Sequence, residues 1–365
     1  MPMDRLDSAT TGRIEGSGSF SDASIDLRRI SVKAAQWNGS GSLDLVDYDI
    51  GEPETGWAKV AIAACGICGS DLHGFREHHG GVKGQQPGHE AAGYCIQTSD
   101  ASLEEGRLYA IEPIVSCGDC DPCKAGYQNR CRKRDLVGFG TPGGLAEQIM
   151  VPCSRLHLLP EGFDRNLAAL SEPLAVGVRA MRLGDVSNRV VAIIGAGSIG
   201  LLCISAAIHA GAKEVAITAR HAHQAELARY LGAEVFDDPE TLLRHYGMEG
   251  VDVVVETVGG QAETLVDAAN IAAPGGIIIK VGVFSGNTPI PSMPFLDKEL
   301  TLKGSLCYAG DLETGDFANT TKLLAHKGDY FSPLVTHKFS LDEVNKAFEA
   351  ALDKSNGSIK VHISP

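Results

Sequence analysis

Two textures of hydrophobic patterning divide the chain. From Val32 to about Val151, short β-like runs are broken by glycine and cysteine: WAKVAIAA, EAAGYCI, LYAIEP and LAEQIMV. Strands so short and closely spaced predict a compact β-barrel-like domain. After Ser171 the rhythm changes. EPLAVGVRAMRL has a helical pattern, and strands then alternate with helices: VVAII before SIGLLCISAAIHAG, EVAITA before HQAELARYLG, VDVVVET before QAETLVDAAN, then GGIIIKVG. Such alternation predicts parallel strands with helical crossovers, a doubly wound α/β sheet. From about Asp311 a helix (TGDFANTTKLLAHKG), a strand and a second helix (LDEVNKAFEAALD) are expected to pack back on the first domain. Residues 1–28, polar and rich in Gly and Ser, predict a disordered extension.

Composition narrows the field. At 365 residues the chain is too long for one typical core, so two domains are expected. The formal charge of −14 argues against nucleic-acid or anionic-membrane partners, which need clustered Lys and Arg. No apolar run reaches the length of a membrane span, and the N-terminus lacks a secretory apolar segment. A cytoplasmic protein is the resulting expectation, and its ten cysteines then read as ligands or buried thiols rather than disulfides.

Four of those cysteines, Cys117, Cys120, Cys123 and Cys131, fall within one short segment as C-GD-C-DP-C-KAGYQNR-C. Four thiolates from one loop can enclose zinc tetrahedrally and leave no position for substrate, which marks a structural site. A redox CxxC would need a βαβ setting and would not use four sulfurs.

Gly195-Ala196-Gly197-Ser198-Ile199-Gly200 follows an apolar strand and opens a helix. In that setting the glycines let backbone approach a pyrophosphate at the helix N-terminus, so a dinucleotide site is predicted. The next strand ends Ile217-Thr218-Ala219-Arg220-His221, without the carboxylate that binds a ribose 2′-hydroxyl. Arg220 can instead pair with a 2′-phosphate, helped by His221 or His223, so NADP is favoured over NAD. The alternative is that Arg220 is a solvated surface residue.

Cys68 in CGICGSDLH, His89 in PGHEAAG and Glu172 in LSEPLAVG complete a set that, with the two motifs above, resembles the zinc-containing medium-chain alcohol dehydrogenases, in the sorbitol and threonine dehydrogenase-like branch. The resemblance runs from about Val32 to the C-terminus. It implies a β-rich GroES-like catalytic domain (29–182, with the cysteine lobe at 115–132), a Rossmann domain (183–310) and a return to the catalytic domain (311–365). It implies two zincs per chain, the catalytic one held by Cys68, His89 and Glu172, with Glu90 a second carboxylate able to approach the metal. Asp71 matches the acid that orients the ligand histidine, Ser70 the hydroxyl that takes the alcohol proton, and His73 the residue that relays it; a surface histidine is the alternative for His73. Nicotinamide would meet backbone near Val258 and Val281–Val283. The implied reaction is hydride transfer between a small alcohol or carbonyl compound and NADP or NAD, in a homodimer or homotetramer. Cys307 stands where polyol-binding relatives carry an arginine, while Tyr308 is retained, which weakens a polyol assignment. Two rivals are a zinc-free enone or quinone reductase and a non-catalytic zinc-stabilised binding protein. Neither accounts for the cysteine lobe together with Cys68, His89, Ser70 and His73.

Overall fold

The computed structural model describes residues 31–76 and 81–365, so the expectation for residues 1–28 lies outside the described residues. The N-terminal region is β-rich: β1 (Ser31–Trp37), β2 (Leu43–Asp49), β3 (Trp57–Gly66), α1 (Gly69–Arg76), β4 (Glu90–Thr98), β5 (Leu108–Ile111), β6 (Ile114–Val115), α2 (Asp121–Lys124), β7 (Asp135–Leu136), β8 (Gln148–Pro152), β9 (Leu156–Leu158) and α3 (Arg165–Ala168). β3 is buried along nearly its whole length, because it pairs with β4 on one side and with β8 and a C-terminal strand on the other. Its run of Val60, Ile62 and small alanines suits a strand covered on both faces.

The second region contains α4 (Ser171–Gly184), β10 (Val190–Ile194), α5 (Ser198–His209), β11 (Glu214–Thr218), α6 (Ala222–Tyr230), β12 (Glu234–Phe236), α7 (Pro239–Tyr246), β13 (Val251–Glu256), α8 (Thr264–Ile271), β14 (Ala272–Lys280), α9 (Ser292–Asp297) and β15 (Thr301–Gly304). Its six strands are parallel and ordered β12-β11-β10-β13-β14-β15. The chain therefore starts at the centre, moves out one way, and returns to build the other half. Strand residues alternate between two cores. Val191, Ile193, Val253, Val255 and Ile279 face the α4–α5 side, whereas Ala192, Ile194, Val254 and Ile278 face Leu242, Leu265 and Ile271. Period-two alternation of apolar residues on both faces is what demands helices above and below the sheet.

The tail departs from expectation in one respect. After α10 (Asp316–Phe331), β16 (Val335–Ser340) and α11 (Val344–Leu352), the chain adds β17 (Lys360–Ser364), a strand that the hydrophobic pattern does not announce. β17 pairs parallel with β16 and antiparallel with β3, which returns the C-terminus to the first region. α7, capped by Asp238 with Pro239 at its start, is likewise an element the alternation pattern passes over.

Candidate active site

Strand register assembles the site. In the β3–β4 pair, Gly66 faces Glu90, so Cys68 just beyond β3 meets His89 just before β4. In the β17–β3 pair, His362 faces Gly66, which brings Lys360 alongside the same strand end. One ligand atom from each of Cys68, His89 and Glu90 lies within 4.8 Å of the other two. Gly66 is required here: a Cβ at this position would sit 2.2 Å from Glu90 Oε2. Glu172, from the first turn of α4, is buried nearby but stands outside that three-residue cluster. Burial pushes its carboxyl up to about 7, against the pull of His89.

Each group around the cluster is braced. Lys360 Nζ donates to Glu90 at 2.6 and 2.7 Å and to the Ile67 carbonyl at 3.1 Å, with both side chains almost wholly buried. Burial would raise the Glu90 carboxyl, but Lys360 and His89 hold it below the usual carboxylate range. Asp71 Oδ2 accepts from the Cys68 backbone N–H at 3.0 Å, and its other oxygen lies 3.7 Å from His89 Nδ1. The Phe139 ring lies against His89 at 5.2 Å. Ser70 and His73 are exposed on α1, directly after Cys68. Tyr308 is fully buried beside Glu172.

The four lobe cysteines also converge, with ligand atoms within 4.8 Å of one another. Cys117 and Cys131 sulfurs are 3.5 Å apart, as are those of Cys120 and Cys123. Backbone N–H groups of Cys117 and Lys133 point at Cys131 Sγ at 3.4 and 3.3 Å. Backbone donors from Arg132 and Cys123 bring the Cys120 thiol down to about 6. Sulfurs surrounded by N–H donors are stabilised as thiolates, the form that binds metal. The donor chemistry of both clusters thus fits zinc: four sulfurs in a closed set, and Cys, His and carboxylate in the other.

At the C-terminal end of β10, the Gly195–Gly200 turn opens α5, whose first turn has no side-chain cap. Gly200 packs so tightly that a Cβ would lie 1.8 Å from the Gly195 carbonyl, whereas a Cβ at Gly197 would meet open space. The turn therefore leaves free backbone N–H groups facing a gap at the sheet's switch point, where open α/β sheets bind ligands. Thr218 Oγ1 accepts from Gly195 N–H at 3.0 Å and ties the turn to β11. Across the gap, Gly260 N–H donates to the Val283 carbonyl at 2.7 Å and joins the two loops that leave Val258 and Val283 exposed. Val281 is half-buried beneath them. Exposed valines on a rigid paired loop suit an apolar ligand face. Arg220 is exposed, with His221 and His223 stacked at 5.6 Å next to it.

Residues 54–161 match the alcohol dehydrogenase GroES-like domain and residues 198–326 match the zinc-binding dehydrogenase domain. The chain is 30% identical to a 2-dehydro-3-deoxy-L-galactonate 5-dehydrogenase of Pseudoalteromonas atlantica over 86% of this chain and 94% of that protein. It belongs to the zinc-containing medium-chain alcohol dehydrogenase family. It is also 31% identical to the galactitol 1-phosphate 5-dehydrogenase of Escherichia coli, over 79% of this chain and 87% of that one. A zinc-binding dehydrogenase from Sinorhizobium meliloti 1021, solved bound to NADP, superposes with a TM-score of 0.83 at 28% identity, covering 92% of this chain and all of that one.

For this dehydrogenase, sequence reasoning missed three residues near the site. Lys360 and Phe139 lie in β17 and in a turn, far along the chain from the groups they touch. Asp267 on α8 is the third: burial and Glu263 raise its carboxyl while Arg220 draws it down. Among the described residues no helix is long and apolar enough to cross a membrane.

Proposed function

We propose that this dehydrogenase oxidises a secondary alcohol of a polyhydroxylated compound, and reduces the corresponding ketone, with NADP favoured over NAD. The observation that carries the reading is the convergence of Cys68, His89 and Glu90 beside exposed Ser70 and His73, on the domain joined to the glycine turn. Cys68, His89 and a carboxylate would hold the catalytic zinc. Glu90 is the better-placed carboxylate, and Glu172 stands in reserve. Cys117, Cys120, Cys123 and Cys131 would hold a second. Bound there, zinc would supply Lewis acidity at an alcohol oxygen and a nicotinamide cofactor would supply the hydride acceptor.

The chain's own groups do the rest. Ser70 takes the alcohol proton and His73 passes it to solvent, which suits their exposure at the start of α1. Asp71 steadies the His89 ring from behind, and Lys360 keeps Glu90 ionised. The loops at Val258 and Val281–Val283 receive the nicotinamide, and the Gly195, Gly197, Ser198, Ile199 and Gly200 backbone receives the pyrophosphate. Arg220 would pair with the 2′-phosphate, with His221 beside it. Names of relatives that act at C5 of sugar acids and sugar-alcohol phosphates support a polyhydroxylated substrate. The NADP held by the Sinorhizobium protein supports the cofactor.

Absorbance of reduced nicotinamide over a panel of secondary alcohols, read with NADP and with NAD on wild type and Arg220→Ala, tests both parts. Arg220→Ala is expected to weaken NADP about tenfold or more, the worth of a charge-assisted pair, and to change NAD little. Equal effects on the two cofactors would remove the NADP assignment, and no oxidation of any alcohol would remove the reading altogether.

A homodimer or homotetramer belongs to the same proposal. β15 forms one edge of the parallel sheet, and Ile290, Met293 and Leu296 are exposed just before it. An open edge beside exposed apolar side chains favours self-pairing. Sedimentation is expected to give a multiple of the 38.4 kDa chain, and a monomer at micromolar concentration would exclude it.

A further inference from the structure

The chain leaves the parallel sheet for the last time after β15, and residues 305–315 carry it back toward the first region. That crossing starts at the end of the sheet given above to the nicotinamide. β13, β14 and β15 end in register, with Glu256 beside Lys280 and Lys280 beside Gly304. Just past these strand ends, Val258, Val283 and Leu306 each leave an apolar side chain exposed. Ser305 N–H donates to the Lys280 carbonyl at 2.9 Å, so the first step of the crossing is bonded to the residue before Val281.

The cysteine lobe holds the same crossing from the other side. Asn129 is buried, and its Nδ2 donates to the Leu306 carbonyl at 2.8 Å. Gly310 N–H donates to the Gly126 carbonyl at 2.9 Å. Gly126 and Asn129 both lie between Cys123 and Cys131, inside the loop that the converging sulfurs close. Between the two tethers Cys307 takes a φ of 49°, a left-handed value that a non-glycine residue keeps where its surroundings over-determine it. The far end is fixed by Asp316, fully buried and paired with Arg182 at 2.9 Å. Its Oδ2 accepts from Ala309 N–H at 2.8 Å, and its own N–H donates to the Ala309 carbonyl at 2.9 Å.

We propose that Asn129 is a positioning residue that couples the cysteine lobe to the nicotinamide end of the cofactor site, a role that rests on the dehydrogenase reading above. A buried amide-to-carbonyl bond fixes direction as well as distance. The loop closed by the sulfurs therefore sets the Leu306 peptide, and through Ser305 it sets the peptide between Lys280 and Val281. The lobe thus does more than stabilise its own turns. Coupling of this kind is reciprocal: a cofactor that orders residues 281–283 and the crossing must tighten the lobe by the same factor that an ordered lobe tightens the cofactor.

The test is hydrogen–deuterium exchange of the zinc-loaded full chain, as wild type, Asn129→Asp and Asn129→Ala, beside a fluorescence titration of cofactor. Each is read with and without whichever of NADPH and NADH wild type binds tighter. Aspartate keeps the shape of asparagine and lacks the amide donor, whereas alanine removes the side chain. In wild type the cofactor is expected to slow exchange at residues 124–131 by about fivefold or more, the lower end of ordinary coupling between sites. Both substitutions are expected to remove most of that slowing and to weaken the cofactor about three- to tenfold, the loss of one buried hydrogen bond. A merely structural role for Asn129 predicts something else: faster lobe exchange in both states, with the effect of cofactor intact. Slowing at residues 195–200 without slowing at 124–131 in wild type overturns the coupling and leaves the dehydrogenase reading standing, and this arm needs no variant to fold. Wild-type slowing and affinity in both variants overturn the role of Asn129. A wild type that binds neither cofactor overturns the dehydrogenase reading and this one with it.

Discussion

Cys68→Ser is expected to lower kcat/KM for alcohol oxidation by at least about 10³-fold and to leave one zinc per chain where the wild type is expected to hold two. Each factor of ten corresponds to about 1.4 kcal/mol of transition-state stabilisation, and Lewis acidity at an oxygen supplies several kcal/mol. A thiol ionises readily enough to ligate zinc at neutral pH, whereas a serine hydroxyl does not. The loss should be local, because Cys68 is followed at once by α1 and its backbone N–H is already held by Asp71 at 3.0 Å. Cys123→Ser makes the contrasting case. It should remove the other zinc and lower thermal stability, since a closed four-sulfur site contributes its binding energy to folding. Metal analysis beside steady-state kinetics checks both. If Cys68→Ser keeps two zincs and near wild-type activity, the cluster is not the catalytic metal site.

Why Cys68 and the lobe were legible in the sequence, and Lys360 was not, follows from how each position is encoded. Gly195 to Gly200 and the four lobe cysteines are local: a turn and a loop must carry their chemistry within a few residues of one another. The alternation of Val253, Val254 and Val255 is equally local and gives the layered sheet away, because period two places neighbours on opposite faces. Lys360 is different. It reaches Glu90 across 270 positions of sequence, and only the pairing of β17 with β3 puts it there. A lone lysine in the short run IKVHISP reads as a surface charge until that register is known. The carboxylate choice at the metal has the same origin. Sequence order offered both Glu90 and Glu172, and it took the β3–β4 register to set Glu90 beside Cys68 and His89.

Lys360→Met is the second change with a large expected effect, a loss of about 3–5 kcal/mol of folding stability. The lysine is buried, with its ammonium on both Glu90 oxygens and on the Ile67 carbonyl. Methionine fills much of the volume but, in the metal-free chain, leaves a fully buried carboxylate without the ammonium bonded to it. The penalty has a definite pH sign. In wild type the pair holds the Glu90 carboxyl below its usual range, so its contribution is present above the unfolded carboxylate pKa and lost as pH falls through the folded one. Lys360 is raised, so its contribution is complete below the unfolded lysine pKa and lost only as pH rises through the folded one. The deficit of Lys360→Met should therefore be greatest near neutrality and shrink in acid, where the orphaned Glu90 takes up a proton and folds neutral. Adding Glu90→Gln to Lys360→Met should recover part of the stability, since it removes the charge that the lysine was balancing, while activity stays low. Denaturant unfolding of the metal-free chain across this pH range reads all three variants, since a zinc bound beside Glu90 would itself balance the carboxylate. A deficit below about 1 kcal/mol at neutral pH, the range of an exposed surface pair, would mean that the bridge contributes no more than one on the surface.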